Sequence, residues 1–400
     1  MRPQGSLIVR NGRIFDGESA DLFEGDIRVQ DGTIVEVAKD VEADVPTLDA
    51  AGSVVTPGFI DCHFHAWGIS LDMLEMEASM TSYVSLMGAR RLGAALRRGF
   101  TTVRDPAGGD SGLARAIEEG LLRAPNYFFT GAALSQTGGH GDPRSAHLDV
   151  CSCLHHGVEV VDGVENLRIA VRERLRTGAH AIKIMASGGV VSLTDPIRVP
   201  QYSPEEIRVV VEEATRRGSY VAAHAYSPEA IVHAVTNGVR SVEHGNLMDD
   251  DTAKVMAEHD AVLVPTLVTY LAMAERGKDL GMAPVALEKN AQVLESGKAA
   301  IEHAARAGVL VGFGTDLMGD LESEQLRGLQ VQHEVQGTLE LLRSVTSRNA
   351  AIIRDDRYGR IVPGARGDLV ILGGDPFTTP TVLWNGDGGR RVVKGGLVVS

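Results

Sequence analysis

Two histidines separated by one residue are the first feature of this chain that could do chemistry. His63 and His65 lie in the run 58–65, just after the apolar stretch 54–57. On an extended strand, residues two apart point to the same face. Two neutral imidazoles on one face can bind one divalent metal ion. The pair alone does not establish a metal site, because His-x-His also occurs by chance.

Four more metal-compatible residues follow apolar, strand-like runs further along the chain. The runs are 179–182, 220–223, 239–243 and 309–315, and the residues that end them are Lys183, His224, His244 and Asp316. Strands that alternate with helices form parallel sheets, and sites gather at the carboxyl ends of those strands. Together with His63 and His65, these residues predict one metal centre.

Lys183 indicates which kind of centre this would be. A buried lysine loses its charge easily, and the neutral amine can react with carbon dioxide to form a carbamate. An N6-carboxylated Lys183 could bridge two divalent metals, zinc or else cobalt, nickel or manganese. His63, His65 and Asp316 would bind one ion, and His224 and His244 the other. The pair of ions would generate a bridging hydroxide near neutral pH and polarise a carbonyl.

Two further residues could take part in the reaction. Asp316 would accept the proton of the attacking hydroxide and pass it to a leaving nitrogen, which is general base and general acid work by one carboxylate. His140, in the Gly-rich run 138–142, could reach over the metals from a loop and stabilise an oxyanion. It could equally be an ordinary exposed loop histidine.

Composition limits the class of protein. The chain has 400 residues, 44% of them hydrophobic, and a net charge of −14. This length suits one large α/β domain with a small satellite. The acidity argues against nucleic acid as a partner, and no run is long enough to cross a membrane. With no signal-peptide core at the start and only three cysteines, we expect a cytoplasmic protein.

Strand and helix patterns predict an α/β fold. Both ends of the chain read as short strands, with Asn11-Gly12 and Asp31-Gly32 as turns between the first of them. The middle alternates strands and helices, one of which opens at Ser203 with a capping box closed by Glu206. We therefore predict a (β/α)8 TIM-like barrel over residues 58–355 and a composite β-sandwich domain from residues 1–57 and 356–400.

The same residues resemble the amidohydrolase superfamily, over nearly the whole chain. The runs 138–142, 187–190 and 224–227, with Thr194-Asp195-Pro196, are similar to the binuclear Xaa-Pro dipeptidase (prolidase-like) branch, which is related to imidazolonepropionase and includes ochratoxin A amidohydrolases. The resemblance implies hydrolysis of an amide whose leaving group is an α-amino acid. It also implies that His140 contacts the scissile carbonyl oxygen and that Tyr226 binds the product's carboxylate. Because oligomers are common in the branch, we expect a homo-oligomer.

Trp67, directly after the metal motif, departs from the small aliphatic residue expected there. It could form an aromatic wall of the acyl pocket or pack in the core. The first interpretation, with no acidic cluster near the motifs, suggests a neutral or aromatic leaving amino acid.

Several other side chains have simpler interpretations. Cys62 points to the opposite strand face from the histidines and is expected to be buried packing. Cys151, Cys153, His155 and His156 do not match a structural zinc pattern and read as a loop. Asp105 could support a ligand or cap a helix. The methionines at 73, 76, 80 and 87 fit an apolar helix face better than a substrate-lining role.

Three functions remain to be separated. The first is a metal-dependent hydrolase of dipeptides or N-acyl amino acids, with a small molecule or dipeptide as its only partner. The second is a cyclic amidohydrolase or deaminase of the imidazolonepropionase type, against which the His140 and Tyr226 motifs weigh. The third is a non-catalytic scaffold, which the complete ligand set disfavours.

Overall fold

A computed structural model describes residues 4–145, 147, 156–386 and 388–399. The strands are β1 Leu7–Ile14, β2 Phe23–Gln30, β3 Thr33–Ala38, β4 Thr47–Asp49, β5 Val54–Pro57, β6 Phe59–Asp61, β7 Phe100–Asp105, β8 Asn126–Phe129, β9 Ala133–Ser135, β10 Val158–Val160, β11 Ile182–Met185, β12 Val221–Ala225, β13 Ser241–His244, β14 Val262–Val264, β15 Leu369–Ile371, β16 Arg391–Lys394 and β17 Leu397–Val398. The α-helices are α1 Met73–Ala78, α2 Thr81–Arg97, α3 Ser111–Glu118, α4 Val164–Arg176, α5 Pro204–Arg216, α6 Pro228–Thr236, α7 Asp250–Glu258, α8 Leu267–Arg276, α9 Pro284–Arg306, α10 Gln325–Arg343 (kinked at Gly337) and α11 Asn349–Ile352. Gly319–Glu324 and Pro380–Leu383 form 3-10 turns, and Ser344–Arg348 forms a π-helical turn.

One eight-stranded sheet takes its strands from both ends of the chain. Its order is β17-β16-β15-β5-β1-β2-β3, with β4 paired to β1. The two ends meet where β5 pairs antiparallel with β15, with Thr56 opposite Val370. Asp31-Gly32 forms the predicted turn between β2 and β3, with positive φ at both residues. The prediction of a turn at Asn11-Gly12 was wrong, because these residues form an irregularity inside β1, where the pairing register with β2 shifts.

The middle of the chain forms two parallel sheets. One has the order β10-β9-β11-β12-β13-β14 and the other β6-β7-β8. Every residue of β7, β11, β12 and β13 is buried, as expected where helices cover a parallel sheet. The fold is therefore mixed α/β, with helices alternating with parallel strands.

The helices between these strands begin at capping residues. Ser203 caps α5 in a capping box with Glu206, as predicted, and Pro204 takes the first helical position. Ser227 caps α6 and Asp249 caps α7. In each, the side-chain oxygen of the capping residue accepts a backbone N–H group from the first turn of the helix. Each capped helix returns the chain to the start of the next strand, so the strand ends lie at one edge. Within the described residues, no helix has the length and apolar character that a membrane crossing requires.

Candidate metal centre and active site

The six predicted ligands converge near one edge of the parallel sheets. Lys183 is the second residue of β11, opposite Ala222 of β12, so the prediction that it ends its strand was wrong. Lys183, His224 and His244 belong to the neighbouring strands β11, β12 and β13. His63 and His65 follow β6, which ends at Asp61, so the strand is shorter than predicted. Asp316 is brought beside them because its backbone N–H donates to the carbonyl of His63 over 2.7 Å.

These side chains line a cavity of about 70 Å³. All six predicted ligands line it, as do His140 and Tyr226. His63, His244 and Asp316 each offer a ligand atom, and these atoms lie within 4.8 Å of one another. The His63 and His65 rings are 5.1 Å apart, and the His224 and His244 rings 4.6 Å apart, between centroids. The structure thus contains a His/Asp group that could hold a metal.

Hydrogen bonds select which nitrogen of three histidines could bind a metal. Nδ1 of His63 bonds to Glu243 Oε2 over 2.7 Å, and Nδ1 of His244 to Thr266 Oγ1 over 2.8 Å. Nε2 of His224 donates to the Gly188 carbonyl over 3.1 Å. These contacts leave Nε2 of His63 and His244, and Nδ1 of His224, free to bind a metal. Such fixing of ring orientation by the second nitrogen is typical of metal-binding histidines.

Burial gives His63, His224 and His244 the neutral charge state that metal binding requires. It lowers the pKa of His63 and His224 well below the ordinary value and that of His244 to about 3, so these rings are neutral near pH 7. Burial likewise lowers the pKa of Lys183 to about 8. A neutral amine and neutral imidazoles are the forms that carbamate formation and metal binding use.

Asp316 and His65 each shift the pKa of the other. Burial alone would raise the pKa of Asp316, but His63, His65 and His244 outweigh it and hold that pKa well below the ordinary range. For His65, burial favours the neutral ring, but Asp105 and Asp316 prevail and raise its pKa to about 9. His65 Nε2 and Asp316 Oδ1 lie 2.8 Å apart. A cation between them would replace the shared proton, so this pair also fits a metal.

Two ligands occupy unusual backbone conformations. His244 has φ 74° and Asp316 has φ 53°, both in the left-handed region that side chains other than glycine seldom adopt. Such conformations cost about 1–3 kcal/mol each and cluster at functional sites. Here they turn the chain at the end of β13 and after residues 309–315 so that both side chains enter the cavity.

A fully buried ion pair lies beneath the histidines. Arg104 Nη2 donates to both oxygens of Glu243 over 2.7 Å, and both side chains have no exposed surface. Ser241 Oγ donates to Glu243 Oε1 over 2.6 Å. Sequence reasoning missed this pair, although an arginine inside a strand of a parallel sheet, as at Arg104 in β7, is a signal that could have found it, because such strands are buried on both faces.

Two carboxylates bond to the segment that carries His63 and His65. Asp105 accepts the Tyr127 hydroxyl over 2.7 Å and the Ala66 N–H over 3.0 Å, and lies 3.7 Å from His65 Nδ1. Of the two interpretations left open for Asp105, support of a ligand is therefore the one that the contacts favour. Asp61, which sequence reasoning missed, accepts the N–H groups of His63 and Thr315 over 3.1 Å each. It joins the His63 and Asp316 segments.

His140 is buried and packed into the site, not an exposed loop residue. Its ring stacks on His224 at 4.1 Å, and its Nδ1 lies 2.9 Å from Ser192 Oγ. Burial lowers its pKa to about 4. A Cβ on Gly189 would lie 2.0 Å from the His140 ring, so only glycine fits there. The loop that carries Gly189 and Ser192 thus holds the imidazole in place.

Lys289 in turn holds that loop. Its buried Nζ donates to the carbonyls of Gly189, Ser192 and Asp195 over 3.0, 2.8 and 2.6 Å. The Ser192 hydroxyl donates to the Gly189 carbonyl over 3.1 Å and lies 2.9 Å from His140 Nδ1, so it joins the loop to the imidazole. Lys289 and Ser192 together fix the position of the His140 ring at the cavity.

Tyr226 lies at the wall of the cavity. Its hydroxyl is 3.0 Å from that of Tyr270, which accepts from Thr266 Oγ1 over 3.2 Å. Thr266 also bonds to His244, so the tyrosine pair and one ligand share a network. Tyr270 was missed by sequence reasoning, since it lies at the first turns of α8 in an apolar helix.

Trp67 is the predicted site residue that the structure does not bring to the cavity. It is 5% exposed and packs in the core with its ring 5.9 Å from that of His156, while Gly88 lies against its indole. The chain turns after His65, because Gly68 N–H donates to the His65 carbonyl, and this turn directs the indole away. The pocket-wall interpretation of Trp67 is corrected to core packing.

The structure corrects some of the predictions for the methionines and cysteines and confirms others. Met73 and Met76 line the cavity, contrary to the helix-face interpretation, whereas Met80 is 79% exposed. Cys62 is buried, as predicted. Cys151, Cys153 and His155 lie outside the described residues.

Comparisons with known proteins agree with this geometry. Residues 54–399 match the model of the Amidohydrolase family. The chain is 30% identical to ochratoxinase from Aspergillus niger, over 97% of this chain and 85% of that protein. A crystal structure of a prolidase complexed with N-methylphosphonate-L-proline superposes with a TM-score of 0.94 at 43% identity, covering 98% of this chain and 99% of that one. A Xaa-Pro dipeptidase with bound methionine in the active site gives 0.88 at 27% identity, covering 98% and 99%.

Proposed function

This chain belongs to the amidohydrolase family, and we propose that it hydrolyses the amide bond of dipeptides or N-acyl amino acids, releasing an α-amino acid. The observation that carries the proposal is the buried convergence of four imidazoles, one lysine and one carboxylate on a single cavity that also contains His140 and Tyr226. The similarity to a prolidase, a Xaa-Pro dipeptidase and an ochratoxinase supports the substrate class.

The donor set fits two divalent metals, for which zinc is our proposal. His63, His65 and Asp316 would hold one ion and His224 and His244 the other, with Lys183 as an N6-carboxylated bridge. Bound metal of this kind lowers the pKa of water to near neutrality and polarises a carbonyl. Imidazole and carboxylate donors are those that zinc prefers.

Three side chains of this protein would bind the substrate and transfer protons. Asp316 is ionised and lies beside three imidazoles, so its carboxylate is the acceptor for the proton of the attacking water and the donor to the leaving nitrogen. His140, held by Ser192 and Gly189, contacts the scissile carbonyl oxygen and stabilises the negative charge that develops there. Tyr226 donates to the carboxylate of the leaving amino acid, held in place by Tyr270.

A second proposal concerns the architecture around the site. We propose that the two parallel sheets are arcs of one (β/α)8 barrel over residues 58–355, beside a composite β domain of residues 1–57 and 356–400. Contacts that support closure are the parallel bridge between Leu263 and Val311, and the bonds from Cys62 N–H to the Phe313 carbonyl and from His180 N–H to the Phe129 carbonyl. A homo-oligomer and a cytoplasmic location stay predictions.

A substrate panel tests the proposed function. The enzyme, supplied with zinc and bicarbonate, should hydrolyse members of a panel of dipeptides and N-acyl amino acids, with release of the free amino acid as the readout. Lactams and aminopurines in the same panel represent the cyclic amidohydrolase and deaminase alternative. Turnover confined to those compounds would overturn the proposal.

A further inference from the structure

Two segments of the chain meet at the candidate metal centre, one that follows His65 and one that follows Asp316. The N–H of Gly319 donates to the carbonyl of Gly68 over 2.8 Å. A Cβ on Gly68 would lie 2.9 Å from the Cγ of Met318, so glycine is what lets the two segments approach this closely. The relative position of the segments therefore determines whether His65 and Asp316 can share one metal ion.

The side chain of Arg91, which belongs to α2, bridges the same two segments. Its Nε donates to the carbonyl of His65 over 3.1 Å. Its Nη2 donates to the carbonyl of Leu317 over 2.7 Å, and its Nη1 to that of Gly319 over 2.9 Å. These acceptors lie 26 residues before Arg91 and 226 and 228 residues after it. One side chain thus joins two distant parts of the chain.

Arg91 is a buried cation whose bonded partners are neutral. It is 3% exposed, and among the described residues its guanidinium bonds to backbone carbonyls and to no carboxylate. Burial lowers its pKa to about 10, so the side chain stays charged near pH 7. A buried charge is costly unless it is hydrogen-bonded. The planar guanidinium, with five N–H donors, meets that requirement by binding three carbonyls at once.

The carbonyls that Arg91 binds lie at or beside two ligand positions. Asp316 has a φ of 53°, and a conformation of this kind persists only where the surrounding structure fixes it. The carbonyl of Leu317, the next residue, is held by Arg91. The carbonyl of His65 is held by the same guanidinium, and the His65 ring lies 2.8 Å from the Asp316 carboxylate. Arg91 therefore fixes the backbone on both sides of this ligand pair.

We propose that Arg91 is a positioning residue for the metal ion at His63, His65 and Asp316, and that it acts by holding the two segments together. This inference rests on the proposed function, in which two ions bind. The ligands of the second ion belong to β12 and β13, and none of the carbonyls that Arg91 binds lies on those strands. Loss of Arg91 should therefore weaken the binding of one ion far more than that of the other.

Zinc titration of the metal-free protein, with bicarbonate present, tests the proposal. The wild type should bind two equivalents. Arg91→Met should bind one equivalent as the wild type does and the other about 10- to 100-fold more weakly, the range typical for loss of a group that orients a ligand. Arg91→Lys, whose ammonium cannot present the planar fork, should fall between the two. Arg90→Met, at the exposed neighbouring position of α2, is the matched control and should bind zinc as the wild type does.

Double variants identify the weakened ion. His65→Ala removes a ligand of the first ion, so adding Arg91→Met to it should cause little further loss of zinc affinity. His244→Ala removes a ligand of the second ion, so adding Arg91→Met to it should produce losses that add, because the two changes act on different ions.

The outcomes separate this inference from the proposed function. Circular dichroism and urea unfolding of the metal-free proteins show which variants fold, and Arg91→Lys carries the test if Arg91→Met does not fold. Equal weakening of both ions in a folded variant, or zinc binding like that of the wild type, overturns the positioning role and leaves the proposed function standing. A wild-type protein that binds fewer than two equivalents of zinc overturns the two-metal centre of the proposed function instead.

Discussion

Glu243 Oε2 accepts a hydrogen bond from His63 Nδ1 over 2.7 Å in the fully buried interior. Arg104 holds both oxygens of that carboxylate and also donates from Nε to the Cys62 carbonyl over 2.6 Å. The ion pair therefore fixes both the ring of His63 and the backbone just before it. His63 Nε2 is left facing Asp316, 3.5 Å away.

Glu243→Gln tests this relationship. Loss of the carboxylate removes the strong acceptor for His63 Nδ1, so we expect metal affinity to fall by about 10- to 100-fold. It also leaves Arg104 buried without its counter-charge, which should cost about 3–5 kcal/mol of the free energy of unfolding. Metal content by elemental analysis at set free zinc, together with urea unfolding, measures the two effects.

The double variant Arg104→Met with Glu243→Gln separates stability from orientation. Removing both charges should recover much of the lost stability but not the metal affinity. If the double variant recovered metal affinity together with stability, the ion pair would stabilise the fold without orienting His63.

Lys183→Arg tests the carbamate. A guanidinium stays protonated and cannot take up carbon dioxide, so we expect no carbamate signal and a fall in kcat of about 100-fold or more. Carbon-13 NMR with labelled bicarbonate provides the measurement on both proteins. Since the pKa of Lys183 is lowered to about 8, the neutral amine becomes more abundant as pH rises. Carbamate formation in the metal-free protein should accordingly be faster at pH 8.5 than at pH 6.5. A labelled carbamate in the variant would contradict the assignment to Lys183.

The edge that holds the ligands could be predicted from sequence because each ligand follows a strand-like run, and the ends of parallel strands meet at one edge, although Lys183 lies inside β11. The residues behind the ligands could not. Arg104 and Glu243 are 139 residues apart, and no local pattern says that two strand residues will pair. Trp67 was misplaced because the chain turns after His65, where the Gly68 N–H donates to the His65 carbonyl, and no sequence pattern marks that turn.

Lys289 should act on catalysis through His140. Lys289→Met removes the donor shared by three carbonyls of the loop that holds the His140 ring. The ring would no longer be fixed at the cavity, so we expect kcat to fall about 10- to 100-fold with metal content unchanged. Lys278→Met, at an exposed lysine in the nearby α8–α9 connection, is the control. Equal kcat in both variants would exclude this role.

His180, which is not one of the candidate metal ligands, should contribute to the acid sensitivity of the fold. Burial, with Arg104 nearby, lowers its pKa to about 4, and its ring lies between Phe128 and Tyr220. The unfolded value is about 6.5, so this neutral histidine contributes stability above pH 6.5 that is lost as pH falls towards 4. His180 is partly exposed, so we reduce its full effect to roughly 1–2 kcal/mol.

His180→Phe can fill the same space and cannot titrate. Its free energy of unfolding, measured in urea, should decline less than that of the wild type between pH 7 and pH 4.5. His259→Gln, at an exposed position, should decline as the wild type does. Parallel pH curves for wild type and His180→Phe would assign the acid sensitivity to other groups.

Tyr226 should determine recognition of the leaving amino acid. Its hydroxyl lies 3.0 Å from that of Tyr270, and both tyrosines line the cavity. Tyr226→Phe keeps the ring beside His244, at 5.2 Å between centroids, and removes a hydrogen bond to a charged group worth about 1.5–3 kcal/mol. We therefore expect KM for an N-acyl amino acid to rise about 10- to 100-fold, with unchanged metal content. For the corresponding amino-acid amide, which has no carboxylate, the variant and the wild type should have similar KM. An equal loss for both substrates would mean that the hydroxyl supports the site through Tyr270 and does not bind the carboxylate.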